Sequence, residues 1–548
     1  MAKAMGTALS TRTFACGPLT EIAAAQDVGN KAANLIRMSD AGLPVPAGFV
    51  ITTTACRDYF QRGGALPADF AAQLAPDIEY VERATGLRFG GRRRPLLVSV
   101  RSGAPVSMPG MMDTILNVGL CDDAVSPLIR MTGNPRFVWD SYRRLVQGFG
   151  EVVRGLPADP FDRLLDEQLR RESIPSSREL DVLALRDLTL QYLRLYASLA
   201  GEPFPQQPRE QLAAAVEAVF RSWRSPRAVE YRRLHGIDDD LATAVTVQAM
   251  VFGNMGSTSG SGVAFTRDPT TGANELYLDF LWNAQGEDVV SGRHAVQDES
   301  AIRRLMPALE QNLRQVAVDL ERLFQDAQDF EFTVQQGRLF LLQSRDAKRT
   351  PWAALRIACD QVREGLIDQD AALRRVGELD LDSLQMIRLA PEHGGPPLSV
   401  GVPACPGVAV GPIAMDSQSA VAMAHHGQSP ILVRHDISTE DVAGLAASAG
   451  VLTMLGGRTS HAAVVARQMN KVCIVGCRGL AIEPGRRCRI GDAAFSAGDF
   501  LSLDGHTGAV YAGKREVVTE QPVEWLRVIE QWRRAAGRNP SRRKPSPA

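Results

Sequence analysis

The chain reads as a multidomain α/β protein, and three observations carry that expectation. From about Leu19 to Arg345, strand-like runs such as Leu96–Val100 and Thr243–Met250 alternate with helical patterns and glycine loops. Between roughly Cys121 and Leu241 the pattern is almost wholly helical, as in an inserted bundle. From Val400 to Tyr511 short β-rich runs return, interrupted by a helix at His461–Met469. A chain of 548 residues has room for two to four cores. The expected partition is an N-terminal lobe over 19–120, a helical insertion over 121–241 and a second lobe over 242–349. A helical, charged linker follows over 350–399, broken by Glu392–Pro397, then a β-rich domain over 400–512. A helical segment and a disordered basic tail fill 513–548.

Composition excludes several classes. With 45% hydrophobic residues, 22% charged and a formal net charge of −1, no global field draws the chain to nucleic acid or a membrane surface. The exception is the Arg- and Lys-rich stretch after Trp532, which reads as solvated. No apolar run approaches the ~20 residues that span a bilayer. The first twenty residues lack a signal-peptide core. The eight cysteines are scattered, and Cys473 and Cys477 lack zinc-ligand spacing. These features fit a reducing cytoplasm.

The first motif is Gly29-Asn30-Lys31, opening a helix that runs to Asp40, with Asn30 as N-cap and Gly42 and Pro44 as stop. Lys31 then sits in a first turn, where free N–H groups and the helix dipole favour anions. A solvated surface lysine would read the same way. Next, a buried strand from Leu96 ends in Arg101 and feeds a small-residue loop to Asp113, an arrangement suited to phosphate. The glycine-rich Gly253–Gly262 reads equally as a flexible loop.

Asp329 to Arg345 reads as a hairpin with a three-residue loop, Gln336-Gly337-Arg338. In that register Glu331 lies opposite Gln343 and Asp329 opposite Arg345. Phe330, Phe332, Val334, Phe340 and Leu342 form the dry face. Carboxylate and amide oxygens beside a guanidinium suit Mg²⁺ and a polyphosphate, although a chance ion pair on a half-exposed hairpin would look alike.

Gly450–Leu455 reads as a buried strand, turned by Gly456-Gly457 into a helix capped by Thr459 or Ser460. His461 falls in its first turn. The positive dipole end disfavours imidazolium and would stabilise a bound phosphoryl group, and neutral imidazole attacks phosphorus. None of the other seven histidines has such surroundings; His425-His426 reads as a surface loop.

Taken together these residues resemble the pyruvate, phosphate dikinase family. The resemblance runs from about Leu19 to Lys514, through Leu97–Ala104, Met108–Leu116, Gly133–Arg144, Met250–Gly253, Gly262–Arg267, Asn283–Val290, Glu331–Thr333 and Thr459–Arg467. It implies an ATP-grasp nucleotide-binding domain with a helical insertion, followed by a swivelling β/β/α phosphohistidine domain. It further implies that Lys31 and Arg101 hold phosphates and that Glu331 and Gln343 hold Mg²⁺. Arg345 would stabilise charge in transfer, Asp329 would support the metal site, and Gln248, Met250 and Val251 would lie at the adenine end. His461 would carry phosphate taken from ATP, with AMP and pyrophosphate as products when phosphate is the second substrate.

The sequence also departs from the family pattern. Asn30 and Ala32 replace glycines that usually flank the lysine. Met454-Leu455 stands where a small residue and an arginine are usual, and Arg458 where methionine is. Nothing after Tyr511 resembles the family's pyruvate-binding barrel. The expectation is therefore the nucleotide half of a split dikinase, with the barrel on a separate protein. Two alternatives stand beside it: a phosphotransferase with another acceptor, and a non-catalytic ATP-binding regulator. The regulator would have no use for a carrier histidine. Thr459 reads as a helix cap or as a site of regulatory phosphorylation.

Overall fold

The computed structural model describes residues 11–14, 25–106, 108, 113–174, 176–238, 241–290, 299–381, 384–390, 395–437, 441–457, 461–469 and 471–537. It divides into two units, one of residues 1–258 with 334–344, the other of residues 259–333 with 345–548.

In the first unit the strands Thr11–Phe14, Gly48–Ile51, Ala244–Ala249, Val98–Gly103 and Thr114–Val118 lie side by side in that order. All four pairings are antiparallel. Between the last two strands in sequence, Thr114–Val118 and Ala244–Ala249, the chain forms the helices Asp122–Thr132, Pro135–Arg154, Asp159–Glu172, Val182–Ala200, Pro208–Ser222 and Pro226–Leu234. The longest of them shows why. The Asn134 side chain accepts from the Phe137 N–H, proline opens the first turn, and Gly155 closes the helix at φ 66°. Phe137, Val138, Tyr142, Leu145, Val146, Phe149 and Val153 recur at helical spacing and are buried in one core with Phe49, Val98, Val100 and Val247 of the sheet.

The second unit begins with Gly260–Phe265 and Tyr277–Trp282, an antiparallel pair. They belong to a sheet whose other strands are the hairpin Gln328–Gln335 and Arg338–Asp346. Arg267, 1% exposed, ties this region together. Its guanidinium donates to Glu321 at 2.7 Å on the helix Pro307–Phe324 and to Glu364 just past the helix Pro351–Arg363. Burial works against the charge, and the two carboxylates outweigh it.

The linker is not helical throughout. After Pro351–Arg363 and Gln369–Val376, Met386–Leu389 is a strand that pairs antiparallel with Val517–Glu520. The helix Val523–Gly537 then packs Trp525 and Ile529 against Trp352, Leu355 and Val376, so linker and C-terminal segment share one core. A reading by local pattern had separated them, because pattern is blind to partners 150 residues apart. Arg533 and Arg534 also fall within that helix, and the tail beyond 537 lies outside the described residues.

Between linker and return lies a body with an eight-stranded sheet. Its order is Ser399–Val400, Ala509–Ala512, Phe500–Asp504, Val408–Ala414, Ile431–Arg434, Gly450–Thr453, Val472–Val475, Val402–Cys405. Period-two alternation sorts its faces. Val433, Leu452 and Ile474 pack with Leu480, Cys488 and Ile490 of the small sheet Leu480–Glu483, Arg487–Ile490 and Ala493–Ser496. Leu432, Val451 and Cys473 pack with Ala420, Leu445, Ala462 and Ala466 of the helices Ser417–His425, Val442–Ala447 and His461–Gln468. His425 thus ends a helix rather than lying in a loop.

Arg267→Met should lower stability by about 3–5 kcal/mol, since it leaves the buried Glu321 carboxylate without its partner. Hydrogen exchange in Pro307–Phe324 would report this as lost protection.

Candidate active site

The first unit holds Lys31, Arg101, Gln248, Met250, Val251 and Gln343. The helix Ala25–Asp40 is broken at Gly29, whose φ of 76° and ψ of 155° are open to glycine but strained for other residues. A Cβ there would come 2.1 Å from the Gly103 carbonyl oxygen, so backbone meets backbone at the end of the Arg101 strand. Asn30 does not cap the helix as expected. Its N–H donates to the Ala104 oxygen, and its side-chain amide donates to the Pro105 oxygen. The helix start is thereby tied across to the loop rather than to itself.

Arg101 also departs from expectation. The strand continues to Gly103, because Arg101, Ser102 and Gly103 all keep partners in Thr246, Val245 and Ala244. A Cβ on Gly103 would point at the Lys31 Cβ, 3.9 Å away. Residues 101 and 103 share a face, so Arg101 and Lys31 emerge on the same side of the sheet, both half-buried. Asn34, three residues on, donates to the Ser344 oxygen at 2.8 Å, and the Leu341 N–H donates to the Pro44 oxygen. These bonds anchor the strand of Gln343 to the helix of Lys31. Gln248 is buried, with its amide nitrogen engaged by the Pro46 oxygen at 3.0 Å. Met250 and Val251 are half-buried at the end of its strand, where the Met250 N–H donates to the Leu97 oxygen.

The second unit holds Asp329, Glu331, Arg345 and the helix that starts at His461. The hairpin loop is Gln336-Gly337 alone, both residues at positive φ, one residue shorter than expected. The dry face accordingly takes Leu339 and Leu341 rather than Phe340 and Leu342, which are half-buried. The alternation then slips by one residue: Leu342 and Gln343 are both half-buried, Ser344 is buried and Arg345 exposed. Arg345 Nε nonetheless donates to Asp329 Oδ2 at 2.7 Å.

Asp329 is buried while Arg345 is half-exposed. Burial lifts the Asp329 carboxyl above its ordinary range, Arg345 draws it back, and Glu331 and Arg467 act in opposite senses on what remains. A raised folded value means this group's contribution to stability is largest at low pH and is lost as pH rises through that value. Its second oxygen, Oδ1, is buried without a hydrogen-bond partner. The His461 side chain and Arg458, Thr459 and Ser460 lie outside the described residues, as do Ser107 and Pro109–Met112 of the loop after Arg101. Among the described residues no three His, Cys, Asp or Glu side chains cluster as a metal site. No described helix is long and apolar enough to cross a membrane.

The Gly29–Gly103 contact was missed in the sequence. Its signal was there, a glycine two residues before the lysine and another two after the arginine, but nothing local paired them.

Comparison with known proteins adds the family. The sequence model for the pyruvate phosphate dikinase AMP/ATP-binding domain matches residues 25–66 and 65–314. That for the mobile domain of PEP-utilising enzymes matches residues 427–508. Pyruvate, phosphate dikinase of Clostridium symbiosum is 44% identical over 493 residues, 89% of this chain and 56% of that protein. The Rhizobium meliloti enzyme of that name is 41% identical over 540 residues, 96% and 60% respectively. The chloroplastic enzyme 1 of Zea mays is 45% identical over 495 residues, 89% and 52%. The chain spans about half the length of the curated relatives it matches.

Gly29→Ala should cost about 2–4 kcal/mol, combining strain at positive φ with a clash against backbone that cannot turn aside. Thermal unfolding would show the loss, and titration with a fluorescent ATP analogue should show weakened binding as Lys31 is pushed off the Arg101 strand.

Proposed function

The chain belongs to the pyruvate, phosphate dikinase family, and from that membership we propose that it moves phosphate from ATP onto His461. The observation that carries this reading lies within the second unit. The buried Asp329 carboxylate accepts from Arg345 Nε at 2.7 Å with its second oxygen unpartnered, in the same unit as the helix that begins at His461. A carboxylate–guanidinium pair and a carrier helix within one unit suit phosphoryl transfer, in which positioning and charge stabilisation are nearly all that protein groups supply.

In this proposal the first unit is the amino-terminal part of an ATP-grasp fold and the β/β/α body is a swivelling carrier. Lys31 and Arg101 bind phosphate oxygens from one face of their sheet, and Gln248, Met250 and Val251 lie at the adenine end. His461 attacks the β-phosphorus as neutral imidazole, releasing AMP and leaving pyrophosphoryl-histidine. Inorganic phosphate then takes the γ-phosphoryl group, releasing pyrophosphate and leaving phosphohistidine. Arg345 stabilises charge on the transferring group. The unpartnered Asp329 oxygen and the nearby Glu331 carboxylate are hard donors that fit Mg²⁺, with Glu331 and Gln343 as its ligands. The ion would neutralise phosphate charge. The cysteines support a reducing, cytoplasmic setting: all seven described ones are free and buried.

We further propose pyruvate as the final acceptor, as the names of the relatives suggest, bound to a barrel-type protein that docks on the charged histidine in trans. Adding such a barrel to the labelled protein should then yield phosphoenolpyruvate.

ATP labelled at the β-phosphate should leave acid-labile, base-stable label on the protein, absent in His461→Ala while nucleotide binding persists. Glu331→Ala should slow labelling on the order of 10²–10³-fold, whereas Arg338→Ala at the exposed hairpin end should not. Undiminished label in His461→Ala would sink the carrier assignment.

A further inference from the structure

Tyr277 stands outside every motif considered so far. It opens the strand Tyr277–Trp282, with its ring edge-on to Phe265 at 6.0 Å. Its hydroxyl donates to the Pro403 carbonyl oxygen at 3.1 Å. Pro403 lies in Val402–Cys405, the edge strand of the eight-stranded sheet, whose one neighbour is Val472–Val475. A proline at a sheet edge has no N–H to give and only a carbonyl to offer, so it calls for a donor from outside the sheet. In the same strand Ala404 and Cys405 pack against Ala462, Ala463, Val465 and Ala466 of the helix that begins at His461. The tyrosine hydroxyl therefore grips the floor of the carrier helix.

An electrostatic influence in the same unit points the same way. Arg467 is exposed on that helix, six residues and roughly 9 Å of rise beyond His461, and its charge reaches Asp329. The hydroxyl bond to the strand beneath the helix is the attachment, and the Arg467 charge on the helix itself acts in the same sense.

We infer that Tyr277 is a positioning residue: its hydroxyl holds the edge of the carrier body against the sheet that bears Asp329, Glu331 and Arg345, and so sets His461 for transfer. The inference rests on the reading of His461 as phosphate carrier. Tyr277 touches no reacting atom. It acts through the 402–405 strand on the helix above, with Arg467 as its electrostatic counterpart.

The test is Tyr277→Phe, which keeps the ring against Phe265 and removes only the hydroxyl. Single-turnover labelling from β-labelled ATP should slow about five-fold, the scale of one neutral hydrogen bond, while affinity for a fluorescent ATP analogue stays at the wild-type value. Spin labels on Glu275→Cys and Gln428→Cys, both at exposed positions, should show a short-distance population that Tyr277→Phe depletes. Arg467→Gln should deplete it too, and Arg467→Lys should restore it. Wild-type labelling rate and distance distribution in Tyr277→Phe would overturn the inference. So would a parallel fall in ATP affinity and melting temperature, the mark of a merely structural tyrosine. If the wild-type protein took no label at all, the carrier reading would fail, and the distance distributions would still decide whether Tyr277 holds the body.

Discussion

The hairpin Gln328–Asp346 is the constraint on which the candidate site depends. Asp329, Glu331 and Arg345 belong to one unit, and residues 334–344, with Gln343, to the other. A two-residue loop leaves the hairpin little freedom, and Arg345 meets Asp329 across it. In the first unit the strand is pinned to the lysine helix by Asn34 and Pro44. In the second it is pinned by the ion pair at 2.7 Å.

That ion pair is poorly suited to stability and well suited to chemistry. A buried carboxylate with one orphaned oxygen is costly when ionised, and a half-exposed arginine repays little of the cost. The contrast is Arg267, equally buried but fully engaged by two carboxylates, where the fold has spent its ionic groups on rigidity.

Much of this was legible in the sequence, and the failures have physical causes. Period-two and period-3.6 patterns located the strand through Arg101, the helices between 122 and 234 and the helix at His461, because each buries a face of its own. The hairpin pair Asp329–Arg345 was found, although the loop is one residue shorter than expected. The contacts that decide orientation were invisible for a different reason. Gly29 against Gly103, Asn30 on Pro105 and Tyr277 on Pro403 join distant segments through backbone atoms, which every sequence has and none advertises.

The two-stranded pairing of Met386–Leu389 with Val517–Glu520 has one more consequence. It brings the chain entering the carrier body and the chain leaving it to adjacent points, with Met386 opposite Glu520. Everything between is a closed excursion whose ends are already joined, so the loop-closure entropy is met by the pairing and not by the host. In genetic terms the body is a cassette. Recombination need match only two neighbouring junctions to graft it into another protein or to exchange it for a relative, and the core of Trp352, Ile529 and Trp525 beneath the junctions would survive the exchange.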